Sequence, residues 1–225
     1  KCFVIFVKYL PNHNLIMNVT LSKEQINWEV GKSPKIFEKI HEEQINIAIY
    51  ERNVNHLANE IKKILTNELN FKATGNVDYI LNELNKIPSV NDYKLIIDDI
   101  RLLLNWFKKI SDAKSFKILL AIVDNDMCKR FHSDLNYIRM LCTYSGPGTL
   151  WLSENNLNRK ALDDLDENDS IVINQNDIKQ VNTGSVVILK GALYPKKGVK
   201  AAVHRSPNIE ESQQKRLLLR IDTDE

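Results

Sequence analysis

Apolar side chains recur along this chain with two different periods. Ser33-Pro34 ahead of Lys35-Ile36-Phe37-Glu38-Lys39-Ile40 predicts a helix start, with serine as N-cap and proline in the first turn. Ile45-Asn46-Ile47-Ala48-Ile49-Tyr50 alternates apolar with small or polar residues, as a half-buried strand does. From Asn53 the spacing lengthens. Leu57, Ile61, Ile64, Leu65 and Leu69 recur at helical intervals, with Lys62, Lys63 and Glu68 on other faces. Asp78 to Leu84 predicts a second helix. Asp92 to Ile110 predicts a third, so rich in Leu and Ile that it is expected to pack on more than one side.

After Asp112 the strand period takes over. Phe116 to Val123 is an apolar run of strand length, and Tyr137 to Tyr144 is followed by the turn Gly146-Pro147-Gly148. Ser153 to Asp169 is polar and acidic, which predicts an exposed excursion with little regular structure. Short strands are expected again at Ile171–Ile173, Val186–Leu189, Ala201–Val203 and Arg216–Ile221, between loops holding Gly184, Gly191 and Gly198. The expected architecture is α+β. Residues 1–112 form a mainly helical region with one early strand, packed on residues 113–225, a small jelly roll or barrel.

Composition narrows the partners. Lys plus Arg number 31 against 29 acidic residues, a formal charge of +2, so nothing electrostatic favours a nucleic acid or an anionic membrane. The apolar run Phe3 to Val7 is too short for a membrane span or a signal peptide's core. Cys2, Cys128 and Cys142 are too few and odd in number for a disulfide framework, which points to a reducing cytoplasm. No Gly-x-Ser-x-Gly elbow and no phosphate-binding Gly-Lys-Ser or Gly-Lys-Thr occurs.

Candidate chemistry concentrates in Cys128-Lys-Arg-Phe-His132-Ser-Asp134-Leu-Asn-Tyr137. On an extended strand, residues two apart share a face, so His132 and Asp134 can reach one ion. Taken alone, the pair reads more readily as an exposed His and an exposed Asp at a strand end. Three features add to it. His204 closes another β run 72 residues later, and two His with one carboxylate form a facial set that leaves iron(II) positions open. A strand closed by glycines, Gly184 to Gly191, precedes that histidine. Arg216 follows it by 12 residues, where a guanidinium can take a carboxylate in a two-pronged contact. Cys128 offers a different completion, a fourth ligand to a tetrahedral zinc. Cys2 and Cys142 read as packing residues, and His13, His41 and His56 as surface positions.

Residues 126–222 resemble the bacterial domain-of-unknown-function 1826 family. The resemblance rests on Cys128, Phe131-His132-Ser133-Asp134, Thr143-Tyr144-Ser145-Gly146-Pro147-Gly148-Thr149-Leu150-Trp151, His204-Arg205-Ser206-Pro207 and Arg216-Leu217-Leu218-Leu219. Ile47 to Arg52 and the Asp99 to Phe107 helix extend it to about residue 45. More distantly, His132-Ser-Asp134-Leu-Asn-Tyr137 with His204-Arg-Ser206-Pro-Asn208 and Arg216 is similar to phytanoyl-CoA-hydroxylase-like oxygenases. That resemblance implies a double-stranded β-helix, a cupin-like jelly roll. It implies iron(II) on His132, Asp134 and His204, and 2-oxoglutarate as a small-molecule cosubstrate held by Arg216 with help from Ser206. Arg220 competes for the anion, since four residues along a strand keep it on the same face as Arg216. Three expectations stand side by side: an iron(II)/2-oxoglutarate oxygenase, a non-enzymatic zinc- or metal-handling protein using Cys128, and an inactive interaction module.

Overall fold

A computed structural model describes residues 26–87, 90–196 and 198–224; Phe3 to Val7, Cys2 and His13 lie outside them. The strands are β1 (Trp28–Gly31), β2 (Ile47–Tyr50), β3 (Asn70–Gly75), β4 (Phe116–Val123), β5 (Ile138–Ser145), β6 (Leu150–Leu152), β7 (Lys179–Gln180), β8 (Val186–Lys190), β9 (Val203–Arg205) and β10 (Arg216–Thr223). Seven of them form one sheet in the order β1-β2-β8-β5-β10-β4-β3, and the others a small sheet ordered β7-β6-β9. The α-helices are α1 (Ala58–Leu65), α2 (Val77–Leu84), α3 (Lys94–Ser111), α4 (Arg159–Asp163) and α5 (Asn168–Ile171).

Alternation along the strands gives the large sheet two different faces. Phe116, Ile118 and Leu120 of β4, Met140, Cys142 and Tyr144 of β5, and Leu217, Leu219 and Ile221 of β10 share a core with Ile80, Ile100, Leu104 and Phe107 of the helices. Their neighbours, Leu119, Ala121, Leu141, Val187 and Leu218, turn the other way and pack with Trp151 of the small sheet, Val181 and Ala202. The large sheet is therefore a middle layer, helices on one face and the small sheet on the other.

Most elements lie where the periods place them, and the departures have identifiable causes. Ser33 caps the turn that follows, its hydroxyl accepting from Lys35 N, but Pro34–His41 is a 3₁₀ helix rather than α. Among the described residues before 112 there are three strands instead of one, all in the large sheet: β1 pairs with β2, β2 with β8 and β3 with β4. In β3 the residues alternate between exposed and half-buried, so no apolar period marks it, and Leu69 just before it extends the helical spacing of α1 by accident. The excursion expected at Ser153 to Asp169 is folded. It contains the 3₁₀ turn Glu154–Asn156, α4 and α5, and Leu157, Ala161, Leu162, Ile171 and Val172 form a third core with Phe131, Leu152 and Val203. The strand expected at Ile171–Ile173 is absent: Ile171 ends α5 and Val172 makes only an isolated bridge to Leu157. The strand expected at Ala201–Val203 begins two residues later, at Val203.

One buried polar cluster ties the helical layer to the sheet. Arg52, after β2, donates to both oxygens of Asp99 in α3 (2.5 and 2.9 Å) and to the Gly184 carbonyl (2.9 Å). The Tyr144 hydroxyl of β5 donates to Asp99 Oδ2 at 2.6 Å. Arg52 and Asp99 side chains are 9% and 8% exposed, so removing either partner strands a charge out of water. Asp99→Ala is expected to lower unfolding free energy by about 3–5 kcal/mol in chemical denaturation. Asp98→Ala, which breaks an exposed i,i+3 pair with Arg101 one residue away, is expected to change it by no more than about 1 kcal/mol.

Candidate metal centre

The segment leading into β5 is drawn onto the small sheet at one point. His132 N donates to the His204 carbonyl and His204 N to the His132 carbonyl, both at 3.0 Å, an antiparallel bridge between residues far apart in the chain. Opposed residues in such a pair share a face, and the two imidazole centroids lie 4.7 Å apart. The folded cap fixes this strand. Phe131 is fully buried in the third core, its amide donates to Asn168 Oδ1 (2.8 Å), and Arg130 donates to the Asp166 carbonyl. Asp134 then falls on the same side as His132. Ligating atoms of His132, Asp134 and His204 all lie within 4.8 Å of one another.

The three side chains present lone pairs to a common point. His132 Nδ1 is 2.9 Å from the Arg130 carbonyl, which makes it the protonated nitrogen and leaves Nε2 as the acceptor. That Nε2 stands 3.7 Å from Asp134 Oδ1, and His204 Nε2 stands 3.3 Å from Asp134 Oδ2. Asp134 Oδ2 is buried and has no hydrogen-bond partner. Burial pushes the His204 pKa down to about 4, with Asp134 only partly opposing, so this imidazole is neutral at pH 7. The nearby carboxylate raises the His132 pKa against the effect of burial. Burial acts to raise that of Asp134, but the two histidines and Arg139 outweigh it and hold the carboxyl down to about 2. An ionised carboxylate with an unpartnered oxygen beside two imidazoles is a donor set for a divalent transition ion, iron(II) among them. Cys128 is exposed and stands outside this group.

The anion-binding candidates separate clearly. Arg216 opens β10 and is 2% exposed. Nη2 donates to Thr143 Oγ1 at 3.1 Å, Nε has no partner, and among the described residues no carboxylate lies within salt-bridge distance. Burial lowers its pKa to about 10, leaving it cationic at neutral pH. The turn after β5 is shaped around it: a Cβ on Gly146 (φ 82°) would lie 2.6 Å from the Lys215 carbonyl and 2.9 Å from Arg216 Cγ. Arg220, by contrast, is half-buried with Nε 3.2 Å from Asp222 Oδ2. Ser206 donates its amide to the Cys128 carbonyl, and no hydrogen bond joins its hydroxyl to Arg216. His41 and His56 are exposed, away from the cluster, and Cys142 packs in the helical core.

Sequence reasoning missed Arg139 and Asp222. Arg139 donates to Asp134 Oδ1 and to both oxygens of Asp222. The signal was present: Arg139 alternates with the apolar Ile138, Met140 and Cys142, and Asp222 follows Arg220 and Leu218 on one face of β10.

A family model described as "Protein of unknown function (DUF1826)" matches residues 31–222. No curated protein matches the chain. Among solved structures, the dioxygenase for auxin oxidation in rice aligns with a TM-score of 0.50 at 10% identity, covering 88% of this chain and 82% of that one. The Arabidopsis thaliana dioxygenase for auxin oxidation 1, in a binary complex with 2-oxoglutarate, aligns at 0.48 and 9% identity, covering 88% and 92%. A prolyl-4-hydroxylase from Pseudomonas putida aligns at 0.43 and 9%, covering 84% and 92%. At 10% identity the first likeness is one of fold. No helix among the described residues is long and apolar enough to cross a membrane.

The geometry generates a ligand test. His132→Ala, Asp134→Ala and His204→Ala are each expected to abolish one-to-one metal binding, read by anaerobic titration with iron(II) or manganese(II), while circular dichroism stays near wild type. Cys128→Ser is expected to retain it; a loss of tenfold or more, about 1.4 kcal/mol, would instead mark Cys128 as a ligand.

Proposed function

We propose that this chain, which belongs to the DUF1826 family of proteins of unknown function, is an iron(II)- and 2-oxoglutarate-dependent oxygenase built on a double-stranded β-helix. The order of strands supports that finer reading of the fold. In the large sheet β4, β10, β5 and β8 are neighbours; facing them, the His132 segment, β9, β6 and β7 are neighbours. From β4 to β10 the chain thus passes from one sheet to the other at every step except β6 to β7, which pair within the small sheet, a winding that fits a jelly roll.

The observation that carries the function is the lone guanidinium of Arg216. An arginine this deeply buried ordinarily has a carboxylate partner, because an unpaired charge out of water is costly. Arg216 lies on the face of β10 that also holds Arg220 and Asp222, the latter joined through Arg139 to Asp134. In this reading it would receive the far carboxylate of a keto acid whose other end is held at the histidine–aspartate cluster. His132, Asp134 and His204 would hold the iron. With 2-oxoglutarate that ion supplies dioxygen activation coupled to oxidative decarboxylation.

The remaining roles belong to the chain. Thr143 receives one prong of the Arg216 guanidinium and so fixes the direction of the others. Trp151, opposite His204 in the β6–β9 pair, lines the space between the sheets with Leu141 and Leu218 and keeps water from it. The zinc-handling reading drew on Cys128 as fourth ligand, and its exposed position outside the cluster gives that reading no support.

Arg216→Ala is expected to weaken 2-oxoglutarate binding to the manganese(II)-loaded protein by about 2–5 kcal/mol and to leave metal affinity almost unchanged. Arg220→Ala, whose guanidinium already stands beside Asp222, is expected to have the smaller effect. Anaerobic calorimetric titration reads both. Absence of 2-oxoglutarate binding by wild-type protein at millimolar concentration ends the oxygenase reading.

A further inference from the structure

Arg139 lies between two carboxylates. Its Nη1 donates to Asp134 Oδ1; its Nε donates to Asp222 Oδ1 at 2.6 Å and its Nη2 to Asp222 Oδ2 at 3.2 Å. Asn136 Nδ2 adds a bond to Asp222 Oδ1 at 3.0 Å. All three charged side chains are shielded, at 17% exposure for Arg139 and 10% for each aspartate. Their anchorage differs. Arg139 and Asp222 are register partners on adjacent central strands, β5 and β10, whereas Asp134 sits in the connection before β5. The rigid pair therefore holds the less rigid ligand.

An ionised carboxylate offers a cation two equivalent oxygens and can bind through one or both. Binding through both fills one more coordination position. In Asp134 the two oxygens are not equivalent: Arg139 occupies Oδ1, while Oδ2 has no hydrogen-bond partner and faces His204. We infer that Arg139, backed by Asp222, is a positioning residue that confines Asp134 to one-oxygen ligation and so keeps metal positions open for the cosubstrate. The inference rests on the oxygenase reading of the cluster. A guanidinium beside a ligand would by itself repel the cation, but Asp222, which also has Arg220 3.2 Å away, offsets part of that charge while it holds Arg139 in place.

The test uses the full chain loaded with manganese(II), reading metal-bound exchangeable waters by proton relaxation and 2-oxoglutarate affinity by calorimetry. The main variant is Arg139→Gln combined with Asp222→Asn, because Arg139→Gln alone would leave the shielded Asp222 charge offset only by the half-buried Arg220, 3.2 Å away. The expected result is one bound water fewer than wild type, 2-oxoglutarate binding about 10–100-fold weaker, and metal stoichiometry still near one. Arg139→Lys, which keeps a cation between the carboxylates, is expected to show the wild-type number of waters. An unchanged water count and unchanged 2-oxoglutarate affinity in the double variant overturn the inference and leave the metal reading standing. Loss of the metal from a folded double variant also overturns it, since Arg139 would then support Asp134 generally and not limit it. Failure of wild-type protein to bind manganese(II) overturns both.

Discussion

Two amide hydrogen bonds, each 3.0 Å, join His132 to His204 and bring together chain segments that no local interaction would hold. Closing a loop of this length has an entropic cost that grows only slowly with length, but it must be met by contacts at the junction. Those contacts are visible on both sides of it. Phe131, adjacent to His132, and Val203, adjacent to His204, are both buried in the third core with Leu152 and Leu162. The side chains flanking each histidine thus point into an apolar cluster while the histidines point to the opposite face, as alternation along a strand requires. The site exists because the cap does: Asn168, Asp166 and Leu162 in the polar-looking excursion are the groups that hold Phe131 and Arg130.

Charge inside the layer between the sheets is distributed unevenly, and the unevenness is informative. Arg139 meets two aspartates and Arg52, on the other face of the sheet, meets one in a two-pronged contact. Arg216 meets a threonine hydroxyl and nothing anionic. Paired guanidiniums are compatible with a role in the fold alone. A buried guanidinium with an unpartnered Nε is an energetic cost to the fold, and a residue of that kind is expected where a ligand, not another side chain, completes the contact.

Long elements with strong periods were legible from the residues: α3, β4, β5 and β10 sit within a few residues of where hydrophobic spacing places them. That His132 and Asp134 come together beside His204 was legible in part, because strand alternation predicts that residues two apart face together. What escaped detection lacked a period. β3 is an edge strand with its exposed positions filled by Asn70, Lys72 and Thr74, and β1 is four residues long. In the cap, Leu157, Ala161, Leu162, Ile171 and Val172 are few and scattered among acidic residues, and they find a core only because Phe131 and Val203 arrive from distant segments. Arg139 and Asp222 escaped for a related reason. A charged residue in a strand reads as solvent-facing until the register shows which residue lies across from it.

β10 shows how one strand can serve the fold and the site without conflict. Leu217, Leu219 and Ile221 face the helices and belong to the main core, while Arg216, Leu218, Arg220 and Asp222 face the small sheet. Because the side-chain period is two, a one-residue slip would bury the charges among the helices and turn the leucines toward the site. The hydrophobic face therefore does more than stabilise the sheet. By making every other register unfavourable, it fixes the positions of Arg216 and Asp222 relative to Thr143 and Arg139 on the neighbouring strand. The register shift between Leu217 and Leu218 in the pairing with β5 leaves Tyr144 of β5 without an opposite residue, while β10 runs against β4 without interruption, so the alternation along β10 is kept. Stability and site geometry are thus read from the same strand by alternate residues, so core substitutions on its helical face are felt at the site through register before they are felt through contact.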